Sequence, residues 1–197
     1  IPPEQFNEAD PFHDYGDWAN ADTIAPDPDP KKDKSLKYYP KRFDKNNHGG
    51  DTKANLLKKL TIPGLIIELV EDSLIIPREG QGKTIGGRIQ IEAGLSPDQY
   101  IEKLANDPIY KHESGQTIES QMAYAITELF NQNQITDDFQ GNGRINFLAG
   151  NYQTSSGYLP DLCWCRVYRQ ASLGWSDPGD RDEFYGLRPA VGVGVGV

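Results

Sequence analysis

The side chains best suited to nucleophilic or metal chemistry are few in this chain: His13, His48, His112, Cys163 and Cys165. No histidine lies beside a nucleophile motif, so the sequence lacks the pattern of a catalytic triad. The two cysteines stand at i and i+2, without the Cys-x-x-Cys spacing of a zinc site. On one strand, this spacing is close to the upper limit of disulfide reach. We therefore predict two small buried thiols, no catalytic residue, no metal site and no cofactor.

A glycine-rich stretch, Gly80-Gln-Gly-Lys-Thr84, resembles the end of a phosphate-binding loop. The first glycine of that motif would fall at position 77, where the chain has Pro77. A strand is predicted after the stretch, so no helix would turn its amino terminus toward a phosphate. We interpret the stretch as a flexible loop.

A second stretch, Asp138-Phe-Gln-Gly-Asn-Gly143, has part of the spacing of a calcium loop. Its third position is Gln140, and its twelfth, which normally supplies a bidentate glutamate, is Ala149. Asn142-Gly143 is also a strong signal for a tight turn. The sequence therefore favours a turn between strands at 135–139 and 144–148, with a weak extracellular cation site as the alternative.

The residues from Tyr158 onward predict a long antiparallel hairpin that returns through Tyr185–Val191. Its first strand, 162–169, alternates with period two. One face would carry Cys163, Cys165 and Val167, and the other Trp164, Arg166 and Tyr168. The sequence Asp177-Pro178-Gly179-Asp180 predicts the turn, with Gly179 in the positive φ of a type II bend.

Three further strands and two helices are predicted before this hairpin. β-Branched residues and alternation predict strands at 65–70, 73–76 and 88–92. Ser96-Pro-Asp-Gln99 is a capping box that begins a short helix, which ends before Asn106. The inward residues of this helix would be Tyr100, Ile101, Leu104 and Ala105. A second helix is predicted after Thr117. We expect its apolar stripe to lie in the core rather than against a partner helix. The stripe consists of Ile118, Met122, Ala125, Ile126, Leu129 and Phe130.

Charge divides the 197 residues into two parts. Residues 1–30 contain eight Asp or Glu and no Lys or Arg, whereas residues 31–59 contain ten Lys or Arg and three Asp. So polar a stretch buries too little apolar surface to offset its chain entropy and form a core of its own. Because it nevertheless contains many aromatic residues, which disordered segments tend to exclude, residues 1–55 are predicted to form an extended, ordered arm. A solvated, disordered tail is the alternative. Residues 56–197 are predicted to form an α+β domain, mainly antiparallel sheet with two short helices.

The overall charge bears on the class of partner. The formal net charge is −9, from 29 acidic and 20 basic residues, which argues against nucleic acid. No apolar run approaches the roughly 20 residues that cross a bilayer, so no membrane span is expected.

Both ends of the chain carry residues suited to contact another protein. Aromatic residues recur along the polar arm, and we predict that they insert into pockets of a neighbour: Phe6, Phe12, Trp18, Tyr38, Tyr39 and Phe43. At the other end, Ala190-Val-Gly-Val-Gly-Val-Gly-Val197 places its valines on one face. Left uncovered, such a strand is an aggregation hazard. We expect that it is covered within this fold, or by a neighbouring subunit that contacts Val193 and Val195.

Several motifs carry a resemblance to a known family: Tyr152-Gln-Thr-Ser-Ser156, Tyr158, Cys163-Trp-Cys165, Gly174-Trp-Ser176 and Tyr185-Gly-Leu-Arg-Pro-Ala-Val191. Together they resemble the closing section of C-type-lectin-like domains of bacterial and phage surface proteins, which are relatives of formylglycine-generating-enzyme folds. The resemblance implies that Arg188 and Val191 are scaffold positions on the closing strand. It also implies that Trp164, Tyr168 and Trp175 lie on or near a displayed face.

These features predict a non-enzymatic structural subunit of an extracellular or viral assembly, such as a virion, tail or surface filament. Its terminal arms would link it to copies of itself or to other subunits. The alternative is an adhesin that binds a glycan or peptide at a cell surface. In that case the stacking residues would be Trp164, Tyr168, Trp175 and Tyr185. A hydrolase that uses the carboxylates of residues 177–183 is a weaker alternative, because that loop is more simply a solvated acidic turn.

Overall fold

The computed structural model describes residues 36–38, 67–153 and 157–193. The helices within them are α1 (Pro97–Asn106) and α2 (Ile118–Gln132), with a 3-10 helix at Pro108–Tyr110. The strands are β1 (Leu36–Tyr38), β2 (Ile67–Val70), β3 (Thr84–Ile85), β4 (Arg88–Ile89), β5 (Ser114–Gly115), β6 (Ile145–Phe147), β7 (Asn151–Gln153), β8 (Leu159–Cys165), β9 (Gln170–Ser176), β10 (Tyr185–Gly186) and β11 (Pro189–Val193). The predicted α+β class is confirmed. Neither helix in these ranges has the length and apolar character of a membrane span.

A four-stranded sheet in the order β10-β6-β8-β9 lies at the centre of the fold. β8 pairs antiparallel with β6 and β9, and β10 runs parallel to β6. On one face, Tyr100 of α1 meets Phe147 of β6 edge-on, with ring centroids 6.0 Å apart. On the other face, Ile118 and Met122 of α2 pack against a buried cluster that includes Leu162 of β8. Each face of the sheet is therefore covered by one helix.

A three-stranded sheet, in the order β2-β11-β5, contains the carboxyl-terminal strand at its centre. Val193 pairs with Ile67 of β2, and Ala190 pairs with Ser114 of β5. As far as Val193, the Val-Gly strand is thus covered by strands of its own chain. Two further strand pairs are antiparallel, β1 with β7 and β3 with β4.

The predicted helix starts are confirmed. Ser96 Oγ accepts a hydrogen bond from the Gln99 N–H, and the Gln99 side chain accepts one from the Ser96 N–H. Thr117 caps α2 by accepting from the Ser120 N–H at 3.2 Å. Capping of this kind satisfies N–H groups that have no partner inside the helix. Of the predicted inward residues of α1, Ala105 is exposed, while the other three are buried.

The buried side of α2 carries polar side chains beside the apolar Ile118 and Met122, so the prediction of an apolar core stripe on this helix is wrong in part. Phe130 is 82% exposed and Ile126 is 54% exposed. Gln121 and Glu128 are buried instead. The physical reason is that Gln121 donates from Nε2 to the buried carboxylate of Asp137, at 2.5 Å. A helix that packs against a buried charge must place hydrogen-bonding side chains on its buried side.

That charge belongs to a buried ion pair between Asp137 and Arg188, whose side chains are 0% and 2% exposed. Arg188 Nη2 lies 2.9 Å from Asp137 Oδ1, and the guanidinium stacks 5.0 Å from the Tyr124 ring. Burial raises the pKa of the Asp137 carboxyl, while the positive charge and hydrogen bond of Arg188 act against that rise. The pair joins the connection between β10 and β11 to the segment before β6.

Two predicted strands differ from the structure. Residues 73–76 belong to no strand, and residues 74 and 75 form bends. The Ser73 carbonyl accepts hydrogen bonds from the Tyr124 hydroxyl and the Arg188 guanidinium in place of a strand partner. The strand predicted at 88–92 is limited to β4. Beyond it, the Glu92 carboxylate accepts from the N–H groups of Gly80 and Gly82, at 2.9 and 2.6 Å. These side-chain contacts replace the backbone bonds of a longer strand.

Replacing Arg188 with methionine is expected to lower the free energy of unfolding by about 3–5 kcal/mol, because Asp137 would stay buried without its ionic partner. Urea unfolding followed by circular dichroism measures the change. Arg166→Met is the matched control, because it removes an arginine that is 60% exposed from a pair with Asp138. That control should change stability little. Equal losses in the two variants would contradict the role assigned to the buried pair.

Candidate functional site

The most exposed aromatic and aliphatic side chains of the β8–β9 hairpin lie at its turn. The hairpin turns at residues 166–169, not at 177–180 as predicted, and β8 pairs with β9 from Leu159–Ser176 to Cys165–Gln170. At this turn Val167 and Tyr168 are both 70% exposed. The Pro178-Gly179 turn does exist, with a hydrogen bond from the Asp180 N–H to the Asp177 carbonyl. It joins β9 to β10, and Gly179 is not among the residues with positive φ.

Side chains of the segment before β6 fix the position of this turn. Arg166 Nε lies 2.9 and 2.8 Å from the two carboxylate oxygens of Asp138, and its Nη2 lies 2.6 Å from Oδ2. The Val167 N–H donates to Gln140 Oε1 at 3.1 Å. These contacts hold the backbone of the turn while leaving the Val167 and Tyr168 side chains in solvent.

The segment that holds the turn is itself a tight turn, as predicted. The N–H groups of Gly141 and Gly143 both donate to the Asp138 carbonyl at 2.9 Å. The hairpin predicted around it does not form, because residues 135–137 make no strand and Asp138 makes a single parallel bridge to Trp164. The Asp138 carboxylate, which would be the first ligand of a calcium loop, is instead bound to Arg166.

An aromatic pair extends this surface along the end of the sheet. Phe139 and Phe184 meet edge-on, with ring centroids 5.5 Å apart, and Phe184 is 38% exposed. The Arg144 guanidinium lies 5.8 Å from the Phe184 ring. Phe184 immediately precedes β10, which is two strands away from β8 at the same end of the sheet. We call this the tip surface, formed by Phe139, Gln140, Arg166, Val167, Tyr168 and Phe184.

A buried carboxyl group lies inside the hairpin that carries the tip surface. Asp161 of β8 is buried, and its Oδ2 accepts a hydrogen bond from Ser176 Oγ of β9 at 2.7 Å. A Cβ at Gly174, its partner in the ladder, would lie 3.0 Å from Asp161 Oδ1, so the site favours glycine. Burial raises the pKa of Asp161 to about 6, although the bond from Ser176 lowers it in part.

The four residues of the predicted stacking face do not share one exposed surface. Tyr168 is open and Trp175 is 37% exposed, but Trp164 is buried. Trp164 and Trp175 share a face of the hairpin, four positions apart along β8, which is about 13 Å. Tyr185 packs into the core, stacked on Phe147 at 4.8 Å. The alternation of 162–169 did not indicate that both faces of β8 are covered by helices.

The residues predicted to contact a neighbouring protein lie mainly outside the described ranges: Phe6, Phe12, Trp18, Tyr39, Phe43 and Val195. Tyr38 and Val193 are described by their backbone alone. Tyr38 pairs with Asn151 of β7, and Val193 pairs with Ile67 of β2, both within the same chain.

Groups capable of catalysis are dispersed in the structure. In residues 67–151 and 157–192 no three His, Cys, Asp or Glu side chains are grouped to hold a metal. Cys163 and Cys165 are free thiols, and burial raises the pKa of Cys163 to about 12. The N–H groups of Gly80 and Gly82, in the loop that resembles a phosphate-binding loop, bind the chain's own Glu92. Among the described residues, the exposed feature with the best-defined geometry is the tip surface.

Replacing Asp161 with asparagine tests the raised pKa. Because the folded protein binds this proton more tightly than the unfolded chain, the contribution of Asp161 to stability is full below about pH 4 and is lost as pH rises to 6. The variant has no proton to lose, so its free energy of unfolding relative to the native protein should rise by about 2 kcal/mol from pH 4 to 7. Urea unfolding at several pH values measures this difference. A difference that does not vary with pH would contradict the assignment.

Comparison with known proteins finds no family model, curated protein or solved structure that matches this chain.

Proposed function

We propose that this chain is a non-enzymatic, extracellular recognition module that binds a glycan or peptide of a cell surface or virion through its tip surface. The observation that carries the proposal is the exposure of Val167 and Tyr168, at 70% each, on a turn anchored by Arg166 and Gln140. Exposed apolar side chains on a fixed backbone are typical of a binding surface.

Anchoring of the turn favours binding for an entropic reason. A partner that contacts Tyr168 meets a backbone already held by the Asp138–Arg166 pair and the Gln140 bond, so less freedom is lost on association. Tyrosine is enriched among the residues that dominate binding energy, because its ring offers a large apolar face and a polar end. Phe139 and Phe184 add apolar surface at the same end of the sheet.

The resemblance to C-type-lectin-like domains belongs to the same proposal. It implies a scaffold position at Arg188 and a displayed face that includes Tyr168. The deep burial of Arg188 and the exposure of Tyr168 support that assignment of roles. Trp164 is buried and Tyr185 packs in the core, so the ligand face proposed here uses the end of the sheet rather than its side.

Replacing Tyr168 with alanine should weaken binding to glycan arrays or to intact cells by about ten- to thirty-fold, because an exposed anchor is removed without disturbing the core. Ile85→Ala is the matched control, since Ile85 is 59% exposed on the separate β3–β4 hairpin. Its binding should equal that of the native protein. If both variants bind as the native chain does, the tip surface is not the recognition site.

The second candidate is a structural subunit whose terminal arm links it to copies of itself or to other assembly subunits. One observation favours it: β1 joins the domain through three residue pairs with β7, and residues 39–66 separate β1 from β2. A short strand on a long connection is suited to exchange between copies, because the same pairs form with a neighbour.

Removing residues 1–50 should therefore give a folded monomer, because β1 and the aromatic anchors Phe6, Phe12, Trp18, Tyr38, Tyr39 and Phe43 are lost together. Light scattering gives the mass, and circular dichroism gives the fold. Removal of residues 1–35 alone, which keeps β1, separates the role of the strand from that of the preceding aromatics. Unchanged assembly after removal of residues 1–50 would refute the linking role of the arm.

A further inference from the structure

The buried guanidinium of Arg144 has no carboxylate partner among the described residues. Arg144 immediately precedes β6 and is 1% exposed. Its Nη1 donates to the Gly143 carbonyl at 2.6 Å, but its Nε has no hydrogen-bond partner. By contrast, Arg188, the other buried arginine of the described ranges, binds the carboxylate of Asp137. Because arginine keeps its charge in proteins and an unpaired buried charge is costly, we expect Arg144 to have a role that offsets this cost.

The charges around Arg144 increase this imbalance. Burial lowers the pKa of Arg144, and the positive charge of Arg78 lowers it further. Glu183 acts in the opposite direction, but with a smaller effect than Arg78. Exposed charges more than about 8 Å apart are largely screened at physiological ionic strength, so the net charge of −9 opposes an anion here only weakly. The local field at Arg144 is positive and favours an anion.

Arg144 lies beneath the tip surface, with the ring of Phe184 beside its guanidinium. The centre of this ring is 5.8 Å from the guanidinium carbon, and Phe184 is 38% exposed. The backbone of Phe184 is held on both sides, because its N–H donates to Asp182 Oδ1 and its carbonyl accepts from the Ile145 N–H. The ring can therefore change rotamer without movement of β6 or β10, and such changes are fast for exposed side chains.

The chemistry of these groups indicates a class of ligand. The Nε–H of arginine belongs to the edge that holds a carboxylate through two parallel hydrogen bonds. The rings of Tyr168 and Phe184 offer apolar faces against which the C–H groups of a sugar ring can pack. A uronic acid carries such C–H groups and a carboxylate on one rigid ring. An acidic peptide brings its carboxylate on a flexible side chain, which loses more entropy when it is held.

We propose that Arg144 binds the carboxylate of an acidic sugar when the Phe184 ring turns aside, so that the tip surface recognises a glycan that contains uronic acid. This proposal rests on the recognition role proposed above for the tip surface and names its class of ligand. Binding gives the guanidinium its missing counter-charge, and a neutral sugar offers no such gain.

Nuclear magnetic resonance titration of the native full chain tests the proposal with matched sugars. Methyl glucuronide or methyl galacturonide should bind at least about ten-fold more tightly than the corresponding methyl glucoside or galactoside, which lack the carboxylate. The acidic sugar should also shift the Nε–H resonance of Arg144, and the neutral sugar should not. Equal binding of acidic and neutral sugars overturns the proposal. So does a short glutamate peptide that shifts this resonance as strongly as the uronides do.

Arg144→Met supplies a second measurement. Its affinity for the uronides should fall at least about ten-fold, to that for the neutral sugars, because the guanidinium is lost. Its urea midpoint should be no lower than that of the native chain, since an unpaired buried charge is removed. Lys111→Met, the matched control, removes the same charge from an exposed side chain after the 3-10 helix and should bind as the native chain does. A lower midpoint with unchanged preference for uronides would show a structural role instead.

Tyr168→Ala distinguishes failure of this proposal from failure of the recognition proposal. If Tyr168→Ala weakens the binding of all sugars while Arg144→Met changes none, the tip surface remains the recognition site and the role of Arg144 is wrong. If Tyr168→Ala changes nothing and the native chain binds no sugar, both proposals are wrong.

Discussion

The ion pair between Arg188 and Asp137 is the interaction on which the arrangement of both main sheets depends. The Asp137 carboxylate accepts hydrogen bonds from the side chains of Arg188 and Gln121, and the Asp137 carbonyl accepts one from the Trp164 N–H. Asn146 holds the backbone of Arg188 in place, because its Oδ1 accepts a hydrogen bond from the Arg188 N–H at 2.8 Å. A single buried charge pair thus joins α2, β6, β8 and the start of β11. Because an unpaired charge is costly in such a place, alternatives that separate these elements are disfavoured.

Local chemistry made the helix starts predictable from sequence. Ser96 and Gln99 form their capping box within four residues, and Thr117 caps its helix in the same local manner. The buried side of α2 was not predictable, because apolar periodicity points to Ile126 and Phe130 while a distant arginine requires Gln121. Apolar periodicity predicts that a helix forms, but residues far away in the sequence determine what packs against each of its faces.

In the tip surface, too, some features could be predicted from local sequence, whereas others depend on residues far apart in the chain. Alternation near residue 164 indicates a strand, but the end of β8 at Cys165 depends on Asp138 and Gln140, which bind Arg166 and Val167. These contacts join residues that are 27 and 28 positions apart in the sequence. Tyr168 was predicted as part of a displayed face, whereas Phe139 and Phe184 had no local signal. Their proximity arises from the pairing of β10 with β6.

The central position of β11 in its sheet has a consequence for biosynthesis. β2 and β5 are made first, but the strand that separates them is translated 76 to 126 residues later, since Ala190 pairs with Ser114 and Val193 with Ile67. Until residues 188–193 have left the ribosome, β2 and β5 cannot pair with β11, and Asp137 cannot form its ion pair with Arg188. Cotranslational folding of the amino-terminal half is therefore unfavourable, and a nascent chain would need protection until synthesis has passed this strand.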